Sequence, residues 1–458
     1  MATETEAKHT FYTSAERRTM GKARREQAPR ADHGNWRPAP ARRDPIEVLE
    51  QSNLGRVPEL VPIRYGRMLA NPFAFLRGSA AVMAYDLATT PTSGIQVQAC
   101  GDCHLANFGL FATPERNLVF DVNDFDETLP APWEWDVKRL AASFVVAGRA
   151  NGIADKSCQA AVRVLADSYR THLQEFSKMR ALDSWYSRID EKMLVATAPD
   201  AEARKRRERI AAKARASVTE YLFPKISALV DGRRRIVDNP PLVFHMPEHA
   251  DDDERINKLL SAYRDSLPDD RSKLLERYRW VDYAFKVVGV GSVGTRCFAV
   301  LFLADDDDPL LLQIKEARPS VLEPYSGKSQ YDHHGQRVVI GQRLMQTASD
   351  IFLGWMTGGV DGIHYYIRQL RDMKFSLPLT NLEAKTLARY AGICGWALAR
   401  AHTKGGDAAM ISGYLGKSDL FDQALGKFAM AYADQTEADH AALVKAVKSG
   451  RLQAKVES

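Results

Sequence analysis

Reactive side chains concentrate first in residues 98–111, QACGDCHLANFGLF. Two chemistries fit this stretch. Cys100-Gly-Asp-Cys103-His104 has the C-x-x-C-H spacing that attaches a c-type haem, and the same two thiols would also serve as a redox pair or half of a metal site. Asp102 and Asn107 instead have the types and spacing of a phosphoryl-transfer loop, in which an acid takes a hydroxyl proton and an asparagine holds magnesium. Acids in loops are common, and D-x-x-x-x-N alone says little. The weight comes from residues 119–127, VFDVNDFDE, which bring Asp121, Asp124 and Asp126 within a hairpin's length. Magnesium is held by hard oxygens, from one or two carboxylates and an amide. Asp102 is therefore the candidate base, and Asn107, Asp124 and Asp126 are the candidate metal ligands.

A second cluster lies far down the chain. Gly289-Val-Gly291-Ser292-Val-Gly294 sits between two apparent strands, and a third strand follows that ends in LLLQIK at Lys315. A glycine turn lets backbone amides approach phosphates, and a lysine on the third strand can pair with them. The strand on each side argues against a dinucleotide-binding turn, which must open a helix. A bulged hairpin would look alike, so this cluster gains its meaning jointly with the acidic centre. Together they imply ATP and Mg2+ as cofactors.

Elements must hold these residues. GIQVQAC alternates like a strand and LVFDV reads as another, which puts a hairpin around the opening motif. Residues 134–230 read mainly as helix, and 281–317 again as strands, with Asp305–Asp308 as a solvated turn. A helix around GQRVVIGQRLM, a strand HYYIRQL and two long C-terminal helices complete the pattern. Within the helical middle, the basic run RKRRER is interleaved with Glu202 and Glu208, as on a solvated helix face.

Composition bounds the class. The chain has 458 residues, 45% of them hydrophobic, and a formal charge of +5. No apolar run approaches the roughly 18 residues that span a bilayer, and the N-terminus lacks the apolar segment of a secretory signal. A cytoplasmic location without a membrane partner is expected, which counts against covalent haem and against disulfides. The five cysteines are odd in number and scattered, with no second C-x-x-C to complete a zinc site. Residues 1–45 hold ten Lys and Arg against six Asp and Glu, so most of the excess charge lies there. This segment reads as a disordered basic tail, and nucleic acid is not the expected partner.

The motifs LVPIRYGRM, CGDCHLANFG, ERNLVFDVNDFDETLPAPWEWDVKRLAAS, GVGSVGTR, LLLQIKEA, GQRLMQTASDIFLGW and ALARAHTKGGD together resemble a bacterial family, domain-of-unknown-function family 2252, over roughly residues 44–430. More distantly, the chain resembles the aminoglycoside and choline kinase-like phosphotransferases, whose catalytic signature is H-G-D-x-H-x-x-N. That resemblance implies Asp102 as base, His104 as a phosphate or substrate contact, Asn107 and Asp124 on magnesium, and Asp136 as a brace of the catalytic loop. It also implies a glutamate paired with Lys315, for which Glu323 is the nearest candidate and Glu316 the next. Cys100 stands where that group has histidine.

Kinases place the glycine loop and lysine before the catalytic loop, whereas here they come nearly two hundred residues after it. A circular permutation reconciles the two orders, because domain termini commonly lie close together. The expected architecture is thus an α/β (α+β) protein-kinase-like bilobal fold with permuted segment order. Residues 46–280 would form a large helical lobe with the catalytic and magnesium loops. Residues 281–375 would form a small strand-rich nucleotide lobe, and 376–458 would be helices completing the large lobe. The expected activity is Mg-ATP-dependent transfer to a small-molecule or protein hydroxyl; a non-catalytic nucleotide-binding module or an adenylyl transferase is the alternative.

Overall fold

The computed structural model describes residues 11–457 apart from 199, 218, 248–251, 307, 359–361 and 371–372. Around the opening motif lie strands β1 (Gln96–Ala99), β2 (Phe108–Ala112), β3 (Leu118–Val122) and β4 (Leu129–Pro132). Further along come β5 (Ser227–Val230), β6 (Arg233–Ile236), β7 (Val243–Phe244), β8 (Arg279–Lys286) and β9 (Cys297–Leu303). They are followed by β10 (Pro309–Glu316), β11 (Gly354–Gly358), β12 (Ile363–Gln369) and β13 (Phe375–Ser376). β1 pairs with β4, β13 extends the β2–β3 hairpin, and β5 pairs with β6. The other six make an antiparallel sheet in the order β11-β12-β10-β9-β8-β7. The result is a mixed α/β fold with several sheets.

The central strands of that sheet, CFAVLFL and PLLLQIKE, are almost continuously apolar because both faces are covered. Tyr263, Leu267 and Phe352 pack on one face beside Val300 and Phe302. On the other, Phe223 and Ile236 pack beside Ala299, Leu301 and Leu311. Ala304 N–H donates to the Asp308 carbonyl across the acidic turn, which joins β9 to β10; Asp307 lies outside the described residues.

The largest core is helical. The helix Trp133–Ala150 carries Val137, Leu140, Ala141, Phe144, Val145 and Gly148 at helical spacing, and it is buried on nearly every side. Helix Leu420–Lys448 packs along it, and Ala384–Gly405 packs along Asp155–Phe176. Its polar residues are buried too and each reaches a partner: Glu134 accepts from Ser93 N–H, Lys138 reaches the Pro91 carbonyl, and Asp136 and Arg139 hold the loop after β1.

Residues 11–45 correct the expectation of a disordered tail; residues 1–10 lie outside the described residues. Thr13 and Glu16 form a reciprocal capping box on the helix Ser14–Ala23. Several arginines of this segment are spent on specific acceptors. Arg25 donates to the Gly413 and Tyr414 carbonyls at the end of helix Ala408–Leu415, and Arg30 to the Leu415 carbonyl. Arg42 forks between the buried carboxylates of Asp86 and Asp439, each 2.7 Å away. A second correction falls at the end of 134–230, where Ser227–Val230 forms β5 and pairs with β6 instead of continuing the helical stretch. Among the described residues, no helix is long and apolar enough to cross a membrane.

Candidate active-site cleft

One helix face holds the loop after β1. Asp136 accepts from the backbone N–H groups of Cys100 (2.6 Å) and Gly101 (3.0 Å). Three residues on, Arg139 Nε donates to Asp102 Oδ1 at 2.7 Å, and four further on Ser143 Oγ accepts from Leu105 N–H at 3.0 Å. The spacing i, i+3, i+7 puts all three on one stripe of the helix. Arg139 is the positioning residue that sequence reading missed; its place one turn after Asp136 in WEWDVKRLA was the available signal. His402 Nε2 lies 3.1 Å from Asp136, and its Nδ1 is 2.7 Å from the Tyr169 hydroxyl, so His402 belongs to the same brace.

The hairpin then delivers the remaining acids. Asn107 Nδ2 donates to the Asp102 carbonyl (2.8 Å), and Asn123 N–H donates to the Asn107 carbonyl (2.8 Å), locking the two loops together. Burial pushes the Asp124 carboxyl up, but Lys315 and Arg368 outweigh it and hold the group below the ordinary carboxylate range. Asp126 is engaged by three donors: the Lys315 ammonium, the Tyr366 hydroxyl at 2.7 Å and Ser292 Oγ at 3.3 Å. The acidic loop and the glycine-rich segment, 166 residues apart in sequence, therefore meet.

The glycine-rich segment is the long connection between β8 and β9. Gly289 and Gly294 adopt φ of +64° and +87°, a conformation that glycine takes without strain. A side chain on Gly291 would come within 2.9 Å of the Arg77 carbonyl. Val57 N–H and Arg56 pin the segment through the Gly294 and Val293 carbonyls, and Arg67 through the Gly289 carbonyl.

Asp102, His104, Asn107, Asp124 and Asp126 line one cavity of about 260 Å³ together with Gly289, Gly291, Ser292, Arg56, Arg64, Arg77 and Glu127. Lys315 is nearly fully buried at its edge. Burial disfavours its charge, but Asp124 and Asp126 hold the ammonium well above its ordinary range. Arg77 Nε has no partner among the described residues, and burial lowers this guanidinium's pKa against the pull of Asp102 and Asp124.

One sequence expectation is corrected. The ion partner of Lys315 is Asp126, not Glu323 or Glu316: Glu323 sits outside the cavity, 3.9 Å from His334 Nδ1, and Glu316 pairs with Arg296. His104 lies on the cavity wall, where burial drives its pKa down to about 3 and leaves the ring neutral. Cys100 and Cys103 form a buried cluster with Asp136, two thiols and a carboxylate whose ligand atoms lie within 4.8 Å of one another, a set that could hold a metal ion. Burial pushes both thiols up, which keeps them protonated in the absence of a metal.

Glu127 gives the cleft a pH signature. Its Oε2 accepts from Val321 N–H at 2.7 Å, and burial raises its pKa to about 7 against the opposing pull of Arg337. A carboxyl raised in the folded state loses stability as pH climbs from about 4.5 to 7, because the folded form then gives up a proton it held more tightly. Glu127→Gln should therefore raise stability by on the order of 1–2 kcal/mol at pH 8 and leave it nearly unchanged at pH 4.5. Thermal melts of both proteins across that range check it; an equal shift at both ends would assign the effect to something other than titration.

The fold and cleft define a mixed α/β protein in which acidic loops and a glycine-rich segment line one cavity and a buried lysine is ion-paired to one of its acids. Within that class the chain belongs to a family of uncharacterized proteins conserved in bacteria, DUF2252, which matches residues 56–446. No curated protein and no solved structure matches the chain.

Proposed function

We propose that the protein is a Mg-ATP-dependent phosphotransferase of permuted kinase-like architecture, with the six-stranded sheet as its nucleotide lobe. The observation that carries this reading is the meeting of Lys315 and Ser292 on Asp126, which lines one cavity with Asp124. A triphosphate needs a lysine, approachable backbone amides and metal-holding carboxylates at the same place, and these groups come from segments far apart in sequence.

In this reading the amides around Gly289, Gly291, Ser292 and Gly294 cover the phosphates, and Lys315 exchanges part of its bond to Asp126 for them. Asn107 Oδ1 and Asp124, with Asp126 in reach, would supply hard oxygens for Mg2+, which would neutralise the charge developing on the transferred group. Asp102 takes the proton of the acceptor hydroxyl, whose oxygen bonds to the γ-phosphorus as ADP leaves. His104, being neutral, shapes the wall rather than neutralising phosphate.

One observation favours the alternatives, a nucleotide-binding module or an adenylyl transferase. Asp102 Oδ1 is already engaged by Arg139, which leaves only Oδ2 for an acceptor hydroxyl. Calorimetry with ATP and magnesium, followed by transfer assays with label on the α- or γ-phosphate over a panel of acceptors, separates the readings. Movement of γ label supports the phosphotransferase and retention of α label supports adenylyl transfer. Binding without either leaves the module, and absence of binding ends all three.

A further inference from the structure

The basic run RKRRER is mostly the solvated face its interleaved glutamates suggest, with Arg207 as the exception. It lies on the helix Ala201–Arg215, where Arg206 is exposed but Arg207 is half-buried. The same helix turns Ala203, Ile210 and Ala211 onto a cavity of about 120 Å³, whose other apolar walls include Leu110, Phe120, Leu194 and Phe375. The polar lining is mainly cationic, with Arg206, Arg207 and Arg389 against one acid, Glu191.

The charges there are unevenly answered. Glu191 is taken by Arg215, and Arg389 by Asp200. Arg206 donates only to the Thr386 hydroxyl (2.9 Å), and Arg207 only to the Leu194 carbonyl and the Thr197 hydroxyl. No ion pair with a carboxylate joins either guanidinium among the described residues. Burial and the neighbouring Arg389 push the pKa of Arg207 down and outweigh the opposing pull of Asp200.

An apolar cavity with a few convergent polar groups is the usual form of a small-molecule site, and an arginine pair matches a carboxylate bidentately. A purely apolar guest would leave the two guanidiniums unanswered; a small inorganic anion would leave the walls unfilled. We propose that this cavity binds a medium-chain carboxylate, its alkyl tail against Leu110, Phe120, Leu194 and Ile210 and its head on Arg206 and Arg207. The inference stands apart from the phosphotransferase reading, since it uses none of that cavity's residues.

Octanoate, hexanoate and octanol titrated into the full chain by calorimetry test it. One-to-one binding of octanoate is expected, tightening about fourfold per methylene from hexanoate to octanoate. The double substitution Arg206→Gln, Arg207→Gln, at the outer part of the helix, should weaken octanoate about tenfold or more and change octanol by less than threefold. Ile210→Trp should abolish binding of both, with Ala203→Leu as a smaller filling variant should the first fail to fold. No saturable binding of octanoate, equal losses of octanoate and octanol in the arginine variant, or indifference to the filling variants would each overturn the proposal.

Discussion

Asp124→Asn is expected to lower γ-phosphoryl transfer by about 10²–10³-fold at saturating Mg-ATP, the loss typical of removing one group that stabilises transition-state charge. The amide keeps the shape of the carboxylate and takes away its charge, so the change tests electrostatics more than packing. The native carboxyl is held ionised by Lys315 and Arg368 despite burial, which makes a full negative charge available to a cation across the physiological range. Nucleotide affinity should fall far less than the rate, because Lys315 and the glycine-rich segment remain. Initial rates, nucleotide titrations and a thermal melt of the same preparation separate these effects. A folded variant that keeps more than a tenth of the native rate would remove Asp124 from the catalytic scheme.

Sequence reading succeeded where the signal is local. LVFDV is a short, mostly apolar run bounded by turn residues, and the structure has a strand there, Leu118–Val122, paired with Phe108–Ala112. The strands flanking the glycine-rich segment and the helix Trp133–Ala150 were legible for the same reason: period and length alone distinguish them. What local pattern cannot carry is partner choice across the fold. Asp126 and Lys315 are 189 residues apart, and nothing near either residue says that the lysine prefers Asp126 to Glu316 on its own strand. The missing fact is the pleat: Glu316 follows Lys315 directly on β10, so the two side chains point to opposite faces of the sheet.

The N-terminal arginines failed for a related reason. Composition sees ten cations and infers a solvated chain, but each guanidinium can satisfy several acceptors, and here they close a helix end and join buried carboxylates. Their signal was positional, in the Thr13–Glu16 capping box that opens the helix. Sites assembled from distant segments are therefore visible in the sequence as fragments, and their assembly depends on contacts that only the fold specifies.

Lys315→Met should produce two losses with different cures. Removing the buried ammonium leaves the Asp126 and Asp124 carboxylates short of a counter-charge, and breaking such a pair costs about 3 kcal/mol. The pH window follows from the two shifted groups. Lys315 is raised, so its contribution is complete below its unfolded pKa near 10.5 and is lost only as pH climbs through the folded value. Asp124 is depressed, so its contribution is present above its unfolded pKa near 4 and is lost as pH falls through the folded value. The gap in stability between native protein and variant should therefore be widest between about pH 4 and 10 and should shrink at pH 3. Adding Asp126→Asn relieves the stranded charge while keeping a group that Tyr366 and Ser292 can still bond, so the double variant should recover much of the lost stability at pH 7. It should not recover nucleotide affinity, which loses a charge-assisted contact worth about 10–100-fold whether or not Asp126 is neutral. Urea titrations at pH 3 and 7 read the first loss and calorimetry with Mg-ATP the second. If the double variant regains both stability and nucleotide affinity, Lys315 serves only to neutralise the acidic loop, and the phosphates must be held by other cations in the cleft, among which Arg64 and Arg77 each carry an Nε without a partner among the described residues.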